Sequence, residues 1–499
     1  MGIMRKRAIL VVDAGTTAIK AALVEDSGHV LASAEVAQPV LRPKPGHVEQ
    51  APDDWWKAFA GAVRGCQVDD APPRALAITG QMQDLVLLDE KGAPVRNALL
   101  YSDHRAGAEL AALNTELGNA WHHAIGNVPD PSSTAAQLRW VAAHEPDALR
   151  RAHRILLGAP GYLAHRAGGE PSCDLTTAST TGLLDIVSGT WWGPVLNALG
   201  LDGARLPRLV TGTRSVGELS RGAAAELGLS SGLPLVHAAG DAGAVTAGLI
   251  GDSLGALSIS LGTSGWVAAL TGHLPALHGS IHHLIGPTGQ GSLLIGALLS
   301  AGATVDWARQ TYLPNVDHAA ADEMAAAVGP TDLLMLPSLS GERSPIRNPA
   351  AVGAVIGIRP TTTAAQLYRA AMEGVAYSLE QVLAQLKPGA GHSSDRANPI
   401  PLSGGGARSR VFQQIIADVL ARPMLPVAAE HAGLLGAHRA AAAALGESLP
   451  RALMDSTAPS GMVHPGPAQE HYARLSVVHS NLWQALESTF SALHTQSHH

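Results

Sequence analysis

Twice along this chain a short apolar, β-rich run ends in a Gly-Thr-hydroxyl loop and then resumes as a second apolar run. Residues 8–12 lead into Asp13-Ala14-Gly15-Thr16-Thr17, with residues 18–24 beyond; residues 256–260 lead into Gly262-Thr263-Ser264-Gly265, with residues 266–270 beyond. A glycine and hydroxyls between two strands offer a phosphate bare backbone and side-chain O–H groups. The first copy continues through Glu25-Asp26-Ser27-Gly28 into residues 29–32, a three-stranded meander. Gly15 and Gly262 stand about half a chain apart. Two similar halves of this kind predict an α/β chain of two domains that grips one polyphosphate in an interdomain cleft.

Before the second loop lies Gly240-Asp241-Ala242-Gly243, at the end of an apolar run (Leu235, Val236, Ala238, Ala239) that reads as a buried strand. Its glycines let a substrate approach the backbone closely. Alone, that tetrad fits a plain turn and Gly-Thr-Ser-Gly fits many hairpins. Together, a base beside a phosphate cradle points to phosphoryl transfer.

A chain of 499 residues exceeds one core, so two domains and an appendage are expected, at 1–248, 249–449 and 450–499. The net charge of −7 argues against a nucleic-acid partner. Cys66 and Cys173 form neither a disulfide framework nor a metal-ligand spacing, as expected of reduced thiols in a cytoplasmic protein. The apolar run behind basic residues 1–7 stops at Asp13, too short for a signal peptide, and no stretch has the length of a membrane span. The 23 histidines show no spacing that supports a zinc site.

The pattern predicts strands at 74–80 and 85–88 and helices over 51–64, 293–308, 361–386, 411–420 and 437–445. Residues 105–154 read as Ala-rich helix, 388–398 as an exposed loop, and 469–493 as one terminal helix.

Read together, Asp13-Ala-Gly-Thr-Thr, Gly80-Gln81-Met82, Asp103-His104-Arg105, Gly240-Asp241, Gly262-Thr263-Ser264, residues 336–343, Ser403-Gly404-Gly405-Gly406-Ala407-Arg408 and Gly433-Leu434-Leu435-Gly436 resemble the FGGY carbohydrate kinases, and among them most the xylulokinases. The resemblance implies two actin-like (ribonuclease H-like) domains and ATP-dependent phosphorylation of a sugar hydroxyl. It implies Asp241 as general base and Asp13 as the residue reaching Mg²⁺. Gly15, Thr16, Thr17, Gly262, Thr263, Gly405, Gly406 and Arg408 would hold the nucleotide and its phosphates. Gln81, Met82, Gln83, Asp103 and Asp241 would face the sugar. Dimers are common among similar kinases, so a homodimer is one assembly the resemblance allows. The sugar wall departs from the xylulokinase pattern: Gln83 stands for the usual histidine, Tyr101-Ser102 for Trp-Asn and Ala242 for an asparagine; separately, the lysine that relatives usually carry near Gln137 is missing from its helix. Another ketose or a linear polyol is therefore an alternative substrate. A non-catalytic nucleotide-binding regulator and an actin-like assembly protein are the other readings; retention of both Asp13 and Asp241 tells against the first, and the sugar-wall residues against the second.

Overall fold

The computed structural model describes residues 7–68, 70–273, 279–386, 398–428, 430–456 and 461–496. The loop expected over 388–398 lies, except for Asn398, outside the described residues. The chain forms two compact units. Unit 1 takes Met1–Asp252, His283–Leu293 and His431–Ala452; unit 2 takes Ser253–His282, Leu294–Glu430 and Leu453–His499.

Unit 1 is built on a six-stranded mixed sheet. Its strands are β1 (Ala8–Ala14), β2 (Ala18–Glu25), β3 (Val30–Ala37), β4 (Pro73–Gly80), β5 (Ser215–Glu218) and β6 (Pro234–His237), in the order β5-β6-β4-β1-β2-β3. The meander β1-β2-β3 is antiparallel, whereas β1, β4 and β6 run parallel in the centre. Successive strand residues point to opposite faces, and both faces of β1 are covered. Leu10 and Val12 pack with Trp55, Phe59 and Leu163 from the helices Pro52–Gly65 and Ala159–Ala167. Ile9 and Val11 pack with Leu434, Ala437 and Ala441 of the helix Ala432–Ala444. This is why β1 reads as an unbroken apolar run rather than an alternating one.

The helix Ala432–Ala444 lies against a second helix, Asp241–Ile250, glycine on backbone. A methyl group on Gly436 would collide with the Ala244 carbonyl, and one on Gly248 with that of Ala432. Here alanine and glycine abundance serves close approach, which larger apolar side chains would forbid.

Unit 2 repeats the theme with β7 (Leu257–Leu261), β8 (Gly265–Thr271), β9 (Ser292–Leu298), β10 (Ile400–Ser403) and β11 (Met424–Pro426), ordered β9-β8-β7-β10-β11. β7 and β8 form the expected hairpin, and β7, β10 and β11 are parallel. The helix Ala364–Leu386 fills the core with Tyr368, Met372, Val375, Leu379 and Leu383. The helix Gln469–Ala485 is bound to it through a buried cluster: Glu373 Oε1 accepts from Arg369 Nε and Tyr472 Oη, each at 2.8 Å.

Several elements differ from the sequence reading. The helix expected over 293–308 is instead β9 followed by the helix Gly302–Tyr312. An apolar run buried on both faces carries no period to separate strand from helix, and Gly296 sits where a Cβ would strike Val382. The terminal helix is two, Gln469–Ala485 and Glu487–Gln496, which bring Trp483 and Phe490 to one apolar cluster. Residues 105–154 hold three helices, Gly107–Ile125, Thr134–His144 and Pro146–Arg151. No helix among the described residues is long and apolar enough to cross a membrane.

The glycine contacts predict opposite outcomes for two substitutions. Gly436→Val should lower the thermal unfolding midpoint by several degrees, because overpacking costs roughly 1–3 kcal/mol or more. Gly405→Ala, whose added methyl meets nothing within 4 Å, should leave the midpoint where it was. Differential scanning calorimetry of both proteins checks this pair.

Candidate active site

Three parallel strands of unit 1 deliver their C-terminal ends side by side, the place where α/β sheets gather ligands. β1 ends at Asp13-Ala14, aligned with Thr79-Gly80 of β4, and Ile78 of β4 is aligned with His237 of β6. The chain then leaves as the Gly15-Thr16-Thr17 loop, as Gln81-Met82-Gln83, and as Ala238-Ala239-Gly240-Asp241. Hydrogen bonds tie these exits together: Gln81 N–H donates to Ala14 O (3.0 Å), Ala238 N–H to Ile78 O (2.9 Å) and Thr79 Oγ1 to Ala239 O (2.6 Å). Gly80, at φ +154°, has no room for a side chain beneath Ala14, and a Cβ on Gly240 would strike Met82.

Asp241 opens the helix Asp241–Ile250 and accepts the N–H of Ala242 at 2.6 Å. Its pKa is raised to about 7, first by the dense protein around it and next by the Asp13 carboxylate, with Asp174 a smaller contributor. The side chain is itself open to solvent, so this rise is discounted in the free protein and reaches full effect only when bound substrate excludes water. Burial likewise raises Asp13, with Lys20 on β2 partly opposing it. Among the described residues, none donates a hydrogen bond to the Asp13 carboxylate, and Gly433 keeps the space beside its Oδ2 clear: a Cβ there would lie at 3.3 Å. An unpaired, charge-crowded carboxylate is a fitting oxygen donor for Mg²⁺, which keeps much of its water and needs few protein ligands. No group of three or more His, Cys, Asp or Glu side chains placed to hold a metal ion occurs among the described residues.

The other expected wall residues are more committed. Gln81 is buried between Thr16 and Gln50, accepting from Thr16 Oγ1 (2.8 Å) and donating to Gln50 Oε1 (3.1 Å). The Thr16 hydroxyl proton is thereby pointed inward, whereas Thr17 is exposed. Asp103 is brought into an ion pair rather than onto the open wall: both its oxygens take Arg105, and Oδ2 also takes the Val48 N–H. Met82 touches Gly240, and Gln83, at φ +59°, donates to Ser132 Oγ at 3.1 Å. Tyr101 is 43% exposed, with its hydroxyl 3.3 Å from Thr16 Oγ1.

Two carboxylates escaped the sequence reading as site residues. Asp84 follows Gln83, is fully buried and accepts the Tyr101 N–H at 3.1 Å; burial pushes its carboxyl well up, and Asp241 adds to the rise. Asp174 lies beneath Gly240 and accepts its N–H at 3.2 Å. The signal available for it was Asp174-Leu175-Thr176-Thr177, an N-cap residue before a hydroxyl-rich turn; it caps the helix Leu175–Ala178 through Thr177 N–H.

Unit 2 brings its own two glycine loops together. Ser260 of β7 is aligned with Ser403 of β10, so Gly262-Thr263-Ser264 and Gly404-Gly405-Gly406 emerge from adjacent parallel strands. Gly404, at φ +88°, lies directly on the Leu261 backbone. Gly262 spends its N–H on Ser264 O (2.8 Å), so it offers a phosphate space rather than a donor. Thr263 O receives the N–H groups of Ala301 and Ala303, each at 3.0 Å, which anchors the loop to the start of the helix Gly302–Tyr312. Gly405 presents an open face, and Arg408 forms an exposed pair with Glu430 at 2.8 Å, which water can readily replace.

Strand-end carboxylates in one unit and paired glycine loops in the other are the parts of a phosphotransferase of the two-domain actin-like class. Residues 8–250 match the N-terminal domain, and residues 257–445 the C-terminal domain, of the FGGY family of carbohydrate kinases. The xylulose kinase of Escherichia coli (strain K12) is 34% identical over 415 residues, covering 82% of this chain and 84% of that protein. A crystal structure of xylulose kinase from Rhodospirillum rubrum superposes with a TM-score of 0.88 at 28% identity, over 97% of this chain and 100% of that one. A gluconate kinase from Lactobacillus acidophilus shares the fold at a TM-score of 0.86 and 22% identity, over 98% of this chain and 100% of that one. The chain belongs to the FGGY family of carbohydrate kinases and is an ATP-dependent sugar kinase of the xylulokinase type. The fold alone does not choose the sugar.

The loop at Gly262 yields a direct test. A Cβ there meets nothing closer than Ser264 O at 3.6 Å, so Gly262→Val should fold normally. Calorimetric titration should show Mg·ATP binding weakened by at least roughly tenfold. Unchanged affinity with an intact circular dichroism spectrum would take this loop out of the site.

Proposed function

We propose that this kinase transfers the γ-phosphoryl group of ATP to a hydroxyl of a small ketose or linear polyol of about four to six carbons, with Asp241 as the general base. The observation that carries this is the convergence of Asp13, Met82 and Asp241 at three adjacent strand ends, with glycines where a substrate must approach. As the new P–O bond forms, the attacking hydroxyl becomes acidic and its proton passes to the Asp241 carboxylate; ADP departs with the electron pair of the broken bond. A carboxylate with a pKa near neutrality is well matched to this task.

Asp13 would hold Mg²⁺ through water, and the bound ion would neutralise charge on the transferring phosphates. Gly15, Thr16 and Thr17 are assigned to the γ-phosphate, Gly262 and Thr263 to the β- and γ-phosphates, and Gly405, Gly406 and Arg408 to the nucleoside side. Gln81 and Asp103 act by holding the wall: their polar atoms are engaged by Thr16, Gln50 and Arg105. Met82 supplies an apolar surface for the C–H face of the sugar, and Gln83 lies on the same wall.

D-Xylulose is the reference substrate, because curated relatives of comparable length are xylulose kinases. A different ketose or polyol is favoured by Gln83, which faces Ser132, and by Ala242, which carries no polar group beside the base. A site missing a hydroxyl partner discriminates strongly, because a buried polar group is left unpaired.

Coupled ADP release over a panel of sugars tests both parts. Asp241→Asn should lose roughly 10²–10⁴-fold in kcat with its best sugar; more than half the parental rate would refute the base. The parent should favour another ketose or polyol over D-xylulose, and Gln83→His with Ala242→Asn should raise relative activity on D-xylulose. If D-xylulose already leads the panel, the plain xylulokinase reading stands. The pH profile adds a sign. The base works ionised, so kcat, which reports the substrate-bound enzyme, should fall as pH drops through the raised Asp241 pKa, with a midpoint above the ordinary carboxylate range and up to about 7. A profile flat down to pH about 5 would contradict it.

A further inference from the structure

Beneath the peptide that carries Asp241 lies a chain of three buried polar side chains, none of which reaches the open wall. Ser172 and Asp174 stand on the short strand Ser172–Asp174, and His237 ends β6. All three are at most 1% exposed. Ser172 Oγ lies 2.9 Å from His237 Nδ1, and His237 Nε2 lies 3.7 Å from Asp174 Oδ2. Asp174 Oδ1 accepts two backbone N–H groups, that of Thr177 at 2.9 Å and that of Gly240 at 3.2 Å.

Gly240 is the residue immediately before the base and the N-cap of its helix. Its peptide is held from two sides. Asp174 takes the N–H, and Thr79 Oγ1 donates to the preceding carbonyl of Ala239 at 2.6 Å. Thr177 Oγ1 lies so close that a Cβ on Gly240 would stand at 2.6 Å from it. With Met82 on the same glycine, the backbone leading into Asp241 has little freedom to rotate.

Ser172 Oγ and His237 Nδ1 share one hydrogen bond whose sense the His237 tautomer sets. At 3.7 Å, His237 Nε2 packs against Asp174 Oδ2 without a hydrogen bond, and among the described residues that oxygen has no hydrogen-bond partner. Burial favours the neutral ring, more than Asp174 favours the charged one. The two N–H groups on Asp174 Oδ1 hold that oxygen against the Gly240 peptide, and the buried ring of His237 fills the space beside the other.

We propose that Asp174, packed against the His237–Ser172 pair, is the positioning residue for Asp241: it fixes the Gly240 peptide so that the base meets the attacking hydroxyl at bonding distance. This rests on the assignment of Asp241 as base. Asp174 touches neither substrate nor reacting atoms in this role. Its effect belongs to kcat, not to nucleotide binding, because a small misplacement of a reacting group is costly whereas the phosphate loops lie elsewhere in the chain.

The experiment is a double-mutant cycle on the full-length enzyme with its best sugar, reading kcat, KM for Mg·ATP and the thermal midpoint. Asp174→Ala should lower kcat by roughly 10–100-fold, with KM for Mg·ATP within about twofold of the parent. Asp174→Asn keeps an acceptor oxygen for Gly240 and Thr177, and should recover kcat to within about fivefold of the parent. In the Asp241→Asn background, Asp174→Ala should cost less than about threefold more, because residues that act through one another are non-additive. Should Asp174→Ala fail to fold, Ser172→Ala is the milder probe, expected to lower kcat by roughly 3–10-fold in the parent and not in Asp241→Asn.

A fully additive loss in the Asp241→Asn background overturns the proposal. So does an Asn variant as impaired as the Ala variant, or an Ala variant that keeps more than half the parental kcat. The two readings fail separately. Near-parental activity in Asp241→Asn removes the base itself, whereas an inactive Asp241→Asn beside a fully active Asp174→Ala removes only the positioning role.

Discussion

The structure depends on the parallel pairing of β6, β4 and β1, because that pairing alone makes three distant stretches of chain end at one place. Parallel strands share a direction, so their C-terminal exits fall on the same edge of the sheet. Asp13, Met82 and Asp241 are separated by 69 and 159 positions along the chain, yet register bonds bring their backbones together. The glycines follow from the same constraint. Gly80 and Gly240 occupy points where neighbouring backbone or Met82 leaves no volume for a Cβ, so the site is shaped by absent side chains as much as by present ones.

Convergence of strand ends also concentrates negative charge. Asp13, Asp84, Asp174 and Asp241 crowd one region; burial lifts Asp13, Asp84 and Asp241 above the ordinary carboxylate range, and neighbouring carboxylates add to the rise of Asp84 and Asp241. Each is answered differently. Asp84 is held by the Tyr101 N–H, and Asp174 by the N–H groups of Thr177 and Gly240. Among the described residues, Asp13 and Asp241 have no cationic partner at bonding distance, which is the condition for a carboxylate to serve a metal or a proton instead of a salt bridge. Asp103 shows the opposite outcome: bidentate contact with Arg105 satisfies it fully and makes it part of the scaffold.

The second unit brings two glycine loops to adjacent parallel strand ends. The loop at 262–264 accepts the N–H groups of Ala301, Gly302 and Ala303, the loop at 404–406 accepts those of Ala407 and Ser409, and Gly404 lies close on Leu261. An anchored loop loses little entropy on binding, which matters more for a polyphosphate than any one donor. The C-terminal helices belong to this unit's core through Tyr472, Trp483 and Phe490, so they brace the scaffold that carries the loops.

The paired Gly-Thr-hydroxyl loops, the meander around the first, and Asp241 between glycines were legible from residues alone, because turn chemistry and short β-rich runs are local properties. Order and spacing of those motifs were enough to place the chain among the FGGY carbohydrate kinases, a placement the domain matches and relatives bear out. Local pattern could not separate strand from helix at 293–298, where burial on both faces erases the period. Nor could it tell which polar residues are free. Gln81 and Asp103 look like sugar ligands in sequence, but tertiary neighbours engage their polar groups; Asp84 and Asp174 look incidental, but the fold sets them behind the base. Whether a carboxylate reads substrate or holds backbone is decided by which donors lie within 3 Å or so of it, and those donors come from parts of the chain that only folding brings together.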